Sequence, residues 1–288
     1  MDLVDHLPFI HLDDESFRLA LYELQQGPIR YQHDRLESLV FNPLMLEKNI
    51  AANSDLDPDV QYLNIPNSNY YISEQFNEIT CNDNNNSKFS LLHLNARSIN
   101  QNLTKLTDFL TTLDLTFSLI GITETWLDKR NSSSDYINIE GYNFIQKSRD
   151  DRPGGGVGLF IKDDINFKIR NDLTVFDSQI LESIFIEIIR PHQRNVVIGV
   201  LYRPPNSNFQ MFMNKLNEIL PKFSKEQKDC YLMGDFNIDL LKYQQQYNNT
   251  NDFLDTMFSH AFLPIINRPT RITSHTATSI DNILILTV

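Results

Sequence analysis

Short apolar runs alternate along the chain with longer segments whose apolar positions recur every three or four residues. Residues 103–113, 209–223 and 251–260 have this helical spacing. The apolar runs have the length of strands, and their continuity is typical of strands buried on both faces. They occupy residues 89–94, 117–122, 157–161, 180–189, 196–202, 230–233 and 279–286. The pattern therefore predicts at least seven strands and three helices.

The connections between these segments indicate how the strands pair. Arg190–Gln193 joins two β-branched runs and predicts a hairpin. Gly154–Gly156 predicts a hairpin bend that leads into Val157–Ile161, and we expect that strand to pair with the run around Phe167. Because strands alternate with helices but also follow each other directly, the sequence favours an α/β fold with mixed sheets.

Composition excludes several classes of protein. No apolar run is long enough to span a membrane, and the acidic start Met1–His6 lacks the features of a secretion signal. Only Cys81 and Cys230 are present, which argues against a disulfide framework or a cysteine-based metal site. We therefore expect an intracellular protein without a membrane association.

The charge is distributed unevenly and divides the chain. Residues 1–88 contain 15 Asp and Glu against 5 Lys and Arg, whereas residues 89–288 contain 22 against 20. The stretch 82–87 is rich in Asn and reads as a linker. We predict an acidic, partly disordered region over 1–88 and a globular domain over 89–288. A domain that is nearly neutral predicts weak non-specific binding to nucleic acid.

Polar side chains follow or interrupt several of the predicted strands. They are Asn95, Glu124, Tyr202, Asp235, Asn237 and Asp281. Ligands of open sheets gather outside the carboxyl ends of strands. Asp235 and Asn237 point the same way while the pleat lasts and suit a phosphate ester with an attacking water, although a solvated turn has the same residue types. Glu124 is the best candidate ligand for a divalent cation such as Mg²⁺.

Six motifs follow one another along the chain: Leu94–Ile99, Thr123–Leu127, Gly154–Leu159, Leu201–Pro205, Gly234–Asn237 and Ser279–Ile283. In this order they resemble the motifs of the endonuclease/exonuclease/phosphatase superfamily. The resemblance is greatest to the apurinic-like endonuclease domain of LINE-type (non-LTR) retrotransposons, and it spans residues 89–288. It implies a four-layer α/β sandwich, with two mixed β-sheets packed face to face between outer helices. It also implies a Mg²⁺-dependent (or Mn²⁺-dependent) nuclease that nicks DNA, acts in the nucleus and accompanies a reverse transcriptase.

The resemblance also implies a role for each matching residue. Glu124 would bind the metal, and Asn95 would support both the metal and the scissile phosphate. Asp235 would activate the attacking water, Asn237 would orient Asp235, and Tyr202 would bond to the phosphate. The remaining matches would act around these groups: Asp281 would fix the catalytic histidine, and Thr278 or Ser279 would donate to the phosphate.

Two arginines close to these motifs are candidates for contacts with DNA. Arg203 and Arg271 could reach the phosphate backbone, and pairing with an acidic neighbour is an equal alternative for each.

The family finishes with a Ser-Asp-His motif on a further strand, whereas this sequence ends at Val288. We therefore expect the terminal strand and its histidine to be missing, with impaired activity as the consequence. An inactive fragment or a binding module is the first alternative function. A phosphatase of the same superfamily is the second.

Overall fold

The computed structural model describes residues 11–12, 70–82, 89–127, 136–243, 248–273 and 276–286. The helices are α1 Ser73–Asn82, α2 Ile99–Thr111, α3 Phe209–Glu226 and α4 Asn248–Ser259, with a 3₁₀ turn at Leu240–Lys242. The strands are β1 His11–Leu12, β2 Leu91–Asn95, β3 Leu119–Thr123, β4 Tyr142–Lys147, β5 Val157–Lys162, β6 Phe167–Ile169, β7 Phe176–Asp177, β8 Leu181–Ile188, β9 Val196–Tyr202, β10 Asp229–Asp235, β11 Leu263–Pro264, β12 Arg271–Ile272, β13 Ala277–Thr278 and β14 Asp281–Leu286. None of the described helices is both long and apolar enough to span a membrane.

The strands form two large sheets, and both are mixed as predicted. The first has the order β1-β2-β3-β5-β4, with β1, β2 and β3 parallel and β5 antiparallel to β3 and β4. The second has the order β11-β14-β10-β9-β8-β6, with β7 beside β8. Only β9 and β10 run parallel among these described neighbours. Strands β12 and β13 form a separate hairpin.

Three hydrophobic clusters separate four layers. One cluster lies between the sheets and includes Leu119, Ile198 and Met233. A second joins the outer face of the seven-stranded sheet to α3 and α4. The third joins the outer face of the five-stranded sheet to α1 and α2. Because both faces of the central strands are covered, β3, β8 and β9 are buried along their whole length, which explains their continuous apolar sequence. The predicted four-layer α/β sandwich is confirmed.

Local sequence explains where the helices form. The predicted helical segments correspond to α2, α3 and α4. Helix α3 buries Phe212, Leu216 and Phe223 on one face, and the side chain of Asn208 caps its first turn by accepting a hydrogen bond of 3.0 Å from the N–H of Met211. The helix ends at Glu226, and the next residue, Gln227, has a left-handed conformation.

Two details of the strand prediction need correction. The strand at 157–162 does not pair with the run around Phe167; it pairs with β3 and β4, while β6 pairs with β8 in the other sheet. Strand β4 was not predicted, because Tyr142–Lys147 is only partly buried and its sequence is not continuously apolar. The hairpin bend at Gly154–Gly156 is confirmed, since it connects the antiparallel neighbours β4 and β5.

Helix α1 adds residues from before position 88 to the packed unit. Phe76 is fully buried and lies in the same cluster as Leu92 and Ile120, and its ring lies 6.2 Å from that of Phe117. The proposed boundary at residue 88 and the disorder of the acidic region stay predictions, because most of residues 1–88 lie outside the described residues.

Candidate active site

The sheets bring the predicted residues to one rim of the sandwich. Asn95 ends β2 and Glu124 follows β3, and these strands are parallel neighbours. Tyr202 ends β9 and Asp235 ends β10, which are parallel neighbours in the facing sheet with these two residues in register. Asp281 begins the antiparallel strand β14 directly opposite Asp235. Five residues spread over nearly two hundred positions therefore meet at the interface of the sheets.

The amide of Asn95 joins the two central carboxylates. Its Nδ2 donates to Glu124 Oε1 at 2.9 Å and to Asp235 Oδ2 at 2.8 Å. Asn95 is 8% exposed, and its Oδ1 is a buried acceptor with no hydrogen-bond partner among the described residues. Two carboxylates and an amide oxygen are thus concentrated in a small volume.

The Asp235 carboxyl is buried, and this changes its ionisation. Its pKa is raised to about 7, mainly because the group is buried; the N–H of Asn237, 2.9 Å from Oδ1, acts to lower the pKa, and the negative charge of Glu124 acts to raise it. The hydrogen bond from the Asn95 amide and the positive charge of Arg271 both act to lower the pKa of Asp235. A carboxylate with a pKa near neutrality is suited to accept a proton from water.

Asn237 and Arg203 are held by each other. The side chain of Asn237 donates to the backbone carbonyl of Arg203 at 2.8 Å, and Arg203 Nη1 donates to the carbonyl of Asn237 at 3.0 Å. Arg203 is 6% exposed, donates also to the carbonyl of Ser207, and packs over the rings of Phe209 and Phe212. The guanidinium expected at the surface as a DNA contact, or paired with an acidic neighbour, is instead buried against carbonyl oxygens.

The phenol of Tyr202 is a proton donor at neutral pH. Burial raises its pKa, and the charges of Glu124 and Asp235 raise it further. The hydroxyl therefore keeps its proton and can donate a hydrogen bond to an oxygen that lies beside the two carboxylates.

The segment around Glu124 has an unusual backbone. Glu124 and Trp126 have positive φ angles of 53° and 52° although neither is glycine. The loop after β2 is tied to this segment, because the N–H of Ser98 donates to the carbonyl of Glu124 at 2.9 Å. Trp126 Nε1 donates to Glu124 Oε2 at 3.2 Å, and the indole is 44% exposed. Non-glycine residues keep such conformations only where the surroundings enforce them, which is common at functional sites.

The hairpin β12–β13 borders the rim. Arg271 and Thr278 face each other across it, and the electrostatic effect of Arg271 on Asp235 indicates that its charge reaches the site. Ser279 is buried, and its N–H donates to Asp239 Oδ1 at 3.0 Å. The structure therefore brings these predicted phosphate contacts close to the carboxylates; what they bind stays a prediction.

Asp281 contacts a histidine that the sequence did not assign to the site. Its Oδ1 lies 3.9 Å from His93 Nδ1, and its Oδ2 accepts a hydrogen bond of 3.2 Å from the hydroxyl of Thr270. His93 is 4% exposed, and its Nε2 lies 3.3 Å from the Thr123 hydroxyl. His93 precedes Asn95 by two positions on the same strand face, and a histidine within an apolar strand was the available signal.

The rim has the chemistry of a site for a hard divalent cation. The described residues contain no group of three or more His, Cys, Asp or Glu that could enclose a metal ion. Mg²⁺ needs fewer protein ligands than this, because it binds through one or two carboxylates and keeps several waters. Glu124 and the buried acceptor Asn95 Oδ1 supply hard oxygen atoms of this kind.

This sandwich, with carboxylate, amide and phenol groups along one rim, has the architecture of a phosphoesterase-type hydrolase. Residues 92–285 match the model of the Endonuclease/Exonuclease/phosphatase family, and the chain belongs to this family. No curated protein sequence matches it.

Solved structures show the same fold at low sequence identity. The endonuclease domain of TRAS1, a telomere-specific non-LTR retrotransposon, is 13% identical with a TM-score of 0.53, covering 68% of this chain and 83% of that chain. The AP endonuclease LMAP from Leishmania major is 10% identical with a TM-score of 0.51, covering 68% and 78%. A humanized D. rerio TDP2 is 14% identical with a TM-score of 0.50, covering 69% and 83%.

Proposed function

We propose that this chain is a Mg²⁺-dependent phosphodiesterase that nicks DNA, of the kind encoded by non-LTR retrotransposons. The observation that carries the proposal is the Asn95 amide, which holds the carboxylates of Glu124 and Asp235 at 2.9 and 2.8 Å. The fold shared with the TRAS1 endonuclease domain supports the choice of DNA as the substrate. Chromosomal DNA as the target would place the protein in the nucleus.

Three residues of the rim act on the water and the metal. A water oxygen attacks the phosphorus while the bond to the leaving sugar oxygen breaks; Asp235 takes the proton of that water, and the leaving oxygen takes a proton from solvent water to become a hydroxyl. Glu124 and Asn95 Oδ1 would hold Mg²⁺, which would neutralise the charge that develops on the phosphate oxygens. Mn²⁺ accepts the same oxygen ligands.

The phosphate is oriented by hydrogen-bond donors around these carboxylates. Tyr202 donates its phenolic proton to a phosphate oxygen, and Arg271 and Thr278 meet the substrate from the β12–β13 hairpin, with Ser279 directly after it. Asn237 fixes Asp235 through its N–H and is itself fixed by Arg203. Because Arg203 is buried, we assign it to positioning this loop rather than to the DNA.

Nicking of supercoiled plasmid with Mg²⁺, compared with the same reaction in EDTA, tests the proposal. Glu124→Ala and Asp235→Ala should each reduce the nicking rate by about a hundredfold or more, as expected for groups that act on the transition state. Glu140→Ala removes an exposed carboxylate elsewhere and should leave the rate unchanged. Nicking that survives both active-site substitutions would contradict the site assignment.

The same preparations distinguish the alternatives. Release of inorganic phosphate from nucleotide or inositol phosphates without plasmid nicking would identify a phosphatase of the same family. A folded protein that shows neither reaction with Mg²⁺ or Mn²⁺ would be a binding module or an inactive fragment.

A further inference from the structure

A buried ion pair lies beside the rim, between the two sheets. Glu182 in β8 is fully buried, and its carboxylate accepts hydrogen bonds from the N–H of Gly156 and from the guanidinium of Arg149. Arg149 is 9% exposed and follows β4 in the other sheet, so the pair connects the two sheets. A buried charged pair is costly to desolvate, so the pair by itself is weak evidence for a role in stability. Its role is better sought in the groups that it holds in place.

The ion pair lies beside the ring of Tyr202. Glu182 is the register partner of Tyr202 across β8 and β9, and the Arg149 guanidinium carbon lies 6.0 Å from the centroid of the Tyr202 ring. Tyr202 is therefore confined on one side by the guanidinium.

The ion pair also shapes the loop Gly154–Gly156. All three glycines have positive φ angles, between 65° and 87°. A Cβ atom at Gly155 would overlap the Arg149 guanidinium, and a Cβ atom at Gly156 would overlap the hydroxyl of Thr125. The Glu182 carboxylate accepts a hydrogen bond from the N–H of Gly156. The conformation of this loop thus depends on both members of the pair.

The loop in turn holds the segment that carries Glu124. The carbonyl of Gly155 accepts the N–H of Trp126 at 2.8 Å, and the carbonyl of Gly156 accepts the N–H of Thr125 at 3.3 Å. These bonds act on the residues directly after Glu124, where the backbone at Glu124 and Trp126 has positive φ. Positive φ at non-glycine residues persists only where such bonds enforce it.

We propose that Arg149 and Glu182 are positioning residues, which set the Glu124 carboxylate for a divalent cation and the Tyr202 hydroxyl for the phosphate. This inference rests on the proposed function, because it concerns how the same site is held ready. Groups that orient a metal ligand without touching the metal commonly change metal affinity or activity by about 10- to 100-fold when they are removed.

The only tryptophan of the chain, Trp126, provides a direct readout. Its indole bonds to the Glu124 carboxylate, so a paramagnetic cation held there should quench its fluorescence. Titration of the protein with Mn²⁺ then gives a dissociation constant without any turnover. Glu124→Ala should abolish the saturable quenching. Absence of saturable quenching in the wild type would contradict the proposed cation site itself, and therefore the proposed function.

Glu182→Gln tests the inference. We expect saturable quenching with the same amplitude but a dissociation constant for Mn²⁺ raised about 10- to 100-fold, because the ligand is present but no longer fixed. Arg149→Lys keeps the charge but loses the planar fork of donors and should shift the constant in the same direction by a smaller factor. Glu140→Gln, an exposed substitution, should leave the constant unchanged.

The double variant Arg149→Met with Glu182→Gln separates positioning from stability. Replacing both charges should restore much of the thermal stability that Glu182→Gln alone loses, since no charge is left buried without its partner. Metal affinity should stay weak, because the loop is still not held. Wild-type affinity in folded Glu182→Gln protein, or affinity that recovers with stability in the double variant, would overturn the inference. If Glu182→Gln does not fold, Arg149→Lys gives the same test.

Discussion

At the scale of single residues, burial of the Asp235 carboxyl determines how its charge depends on pH. The folded protein holds the proton of this group up to a pH of about 7, whereas the unfolded chain releases it near 3.8. Between these values the folded state binds more protons than the unfolded state at this position. The contribution of Asp235 to the free energy of unfolding therefore falls as the pH rises from about 4 to about 7.

Replacing Asp235 with Asn should reveal this dependence. In EDTA, the free energy of unfolding of Asp235→Asn relative to the wild type should increase from pH 4 to pH 7 and then level off, by on the order of 2 to 4 kcal/mol in total. Urea unfolding at four pH values gives the difference. A difference that is constant across this range would show that Asp235 ionises normally in the folded protein.

At the scale of structural elements, a network of ion pairs fastens the end of the seven-stranded sheet opposite to the rim. Arg170 after β6 pairs with Glu187 in β8 and with Glu226 at the end of α3, and Lys228 also reaches Glu187 at 2.9 Å. Burial raises the pKa of Glu187, but hydrogen bonds from Asn195, Lys228 and Lys168 outweigh it and lower the pKa to about 2.

Glu187→Gln should therefore destabilise the protein in a pH-dependent manner. We expect a loss of about 2 to 3 kcal/mol at pH 7, which disappears as the pH falls from about 4.5 towards 2, because the wild-type carboxylate is then protonated as well. Glu218→Gln is the matched control: this exposed residue pairs with Lys215 on the helix surface and should cost less than 1 kcal/mol, about the upper limit for surface pairs. A loss at pH 7 that is equal for both variants would contradict the role of the network.

The packing of Phe76 in helix α1 leads to a second prediction at this scale. Phe76→Ala removes a fully buried ring from the cluster that contains Leu92 and Phe117, and it should cost about 3 to 5 kcal/mol. Ile72→Ala, at a position 46% exposed, should have a small effect. Chemical denaturation measures both, and a small loss for Phe76→Ala would show that the domain is independent of this helix.

At the scale of the whole molecule, the proposed cation site should couple metal binding to folding. A ligand at a hundred times its dissociation constant stabilises the folded state by about 2.7 kcal/mol. Mg²⁺ should therefore raise the melting temperature of the wild type relative to EDTA, and Glu124→Gln should abolish the increase while Glu140→Gln should keep it. Differential scanning calorimetry measures the shift. An equal shift in all three proteins would place the bound metal elsewhere.

Much of the fold could be predicted because its signals are local. Phe212, Leu216 and Phe223 recur on one face of α3, and the apolar runs at 119–123 and 196–202 are strands because both of their faces are covered. Pairing depends instead on distant partners. The run around Phe167 was assigned to the wrong partner strand. It follows β5 closely in the sequence but pairs with β8 in the other sheet, and its local residue pattern does not indicate this.

The sequence by itself determined which residue types stand at the strand ends and in what order, because periodicity and motifs are properties of neighbouring residues. Only the tertiary structure decided which of them meet. Asn95 reaches Asp235 across 140 positions, Arg203 turns inward to carbonyl oxygens, and Arg149 finds Glu182 between the sheets. These contacts depend on the face-to-face packing of two sheets, and packing between distant segments has no local pattern that a sequence could display.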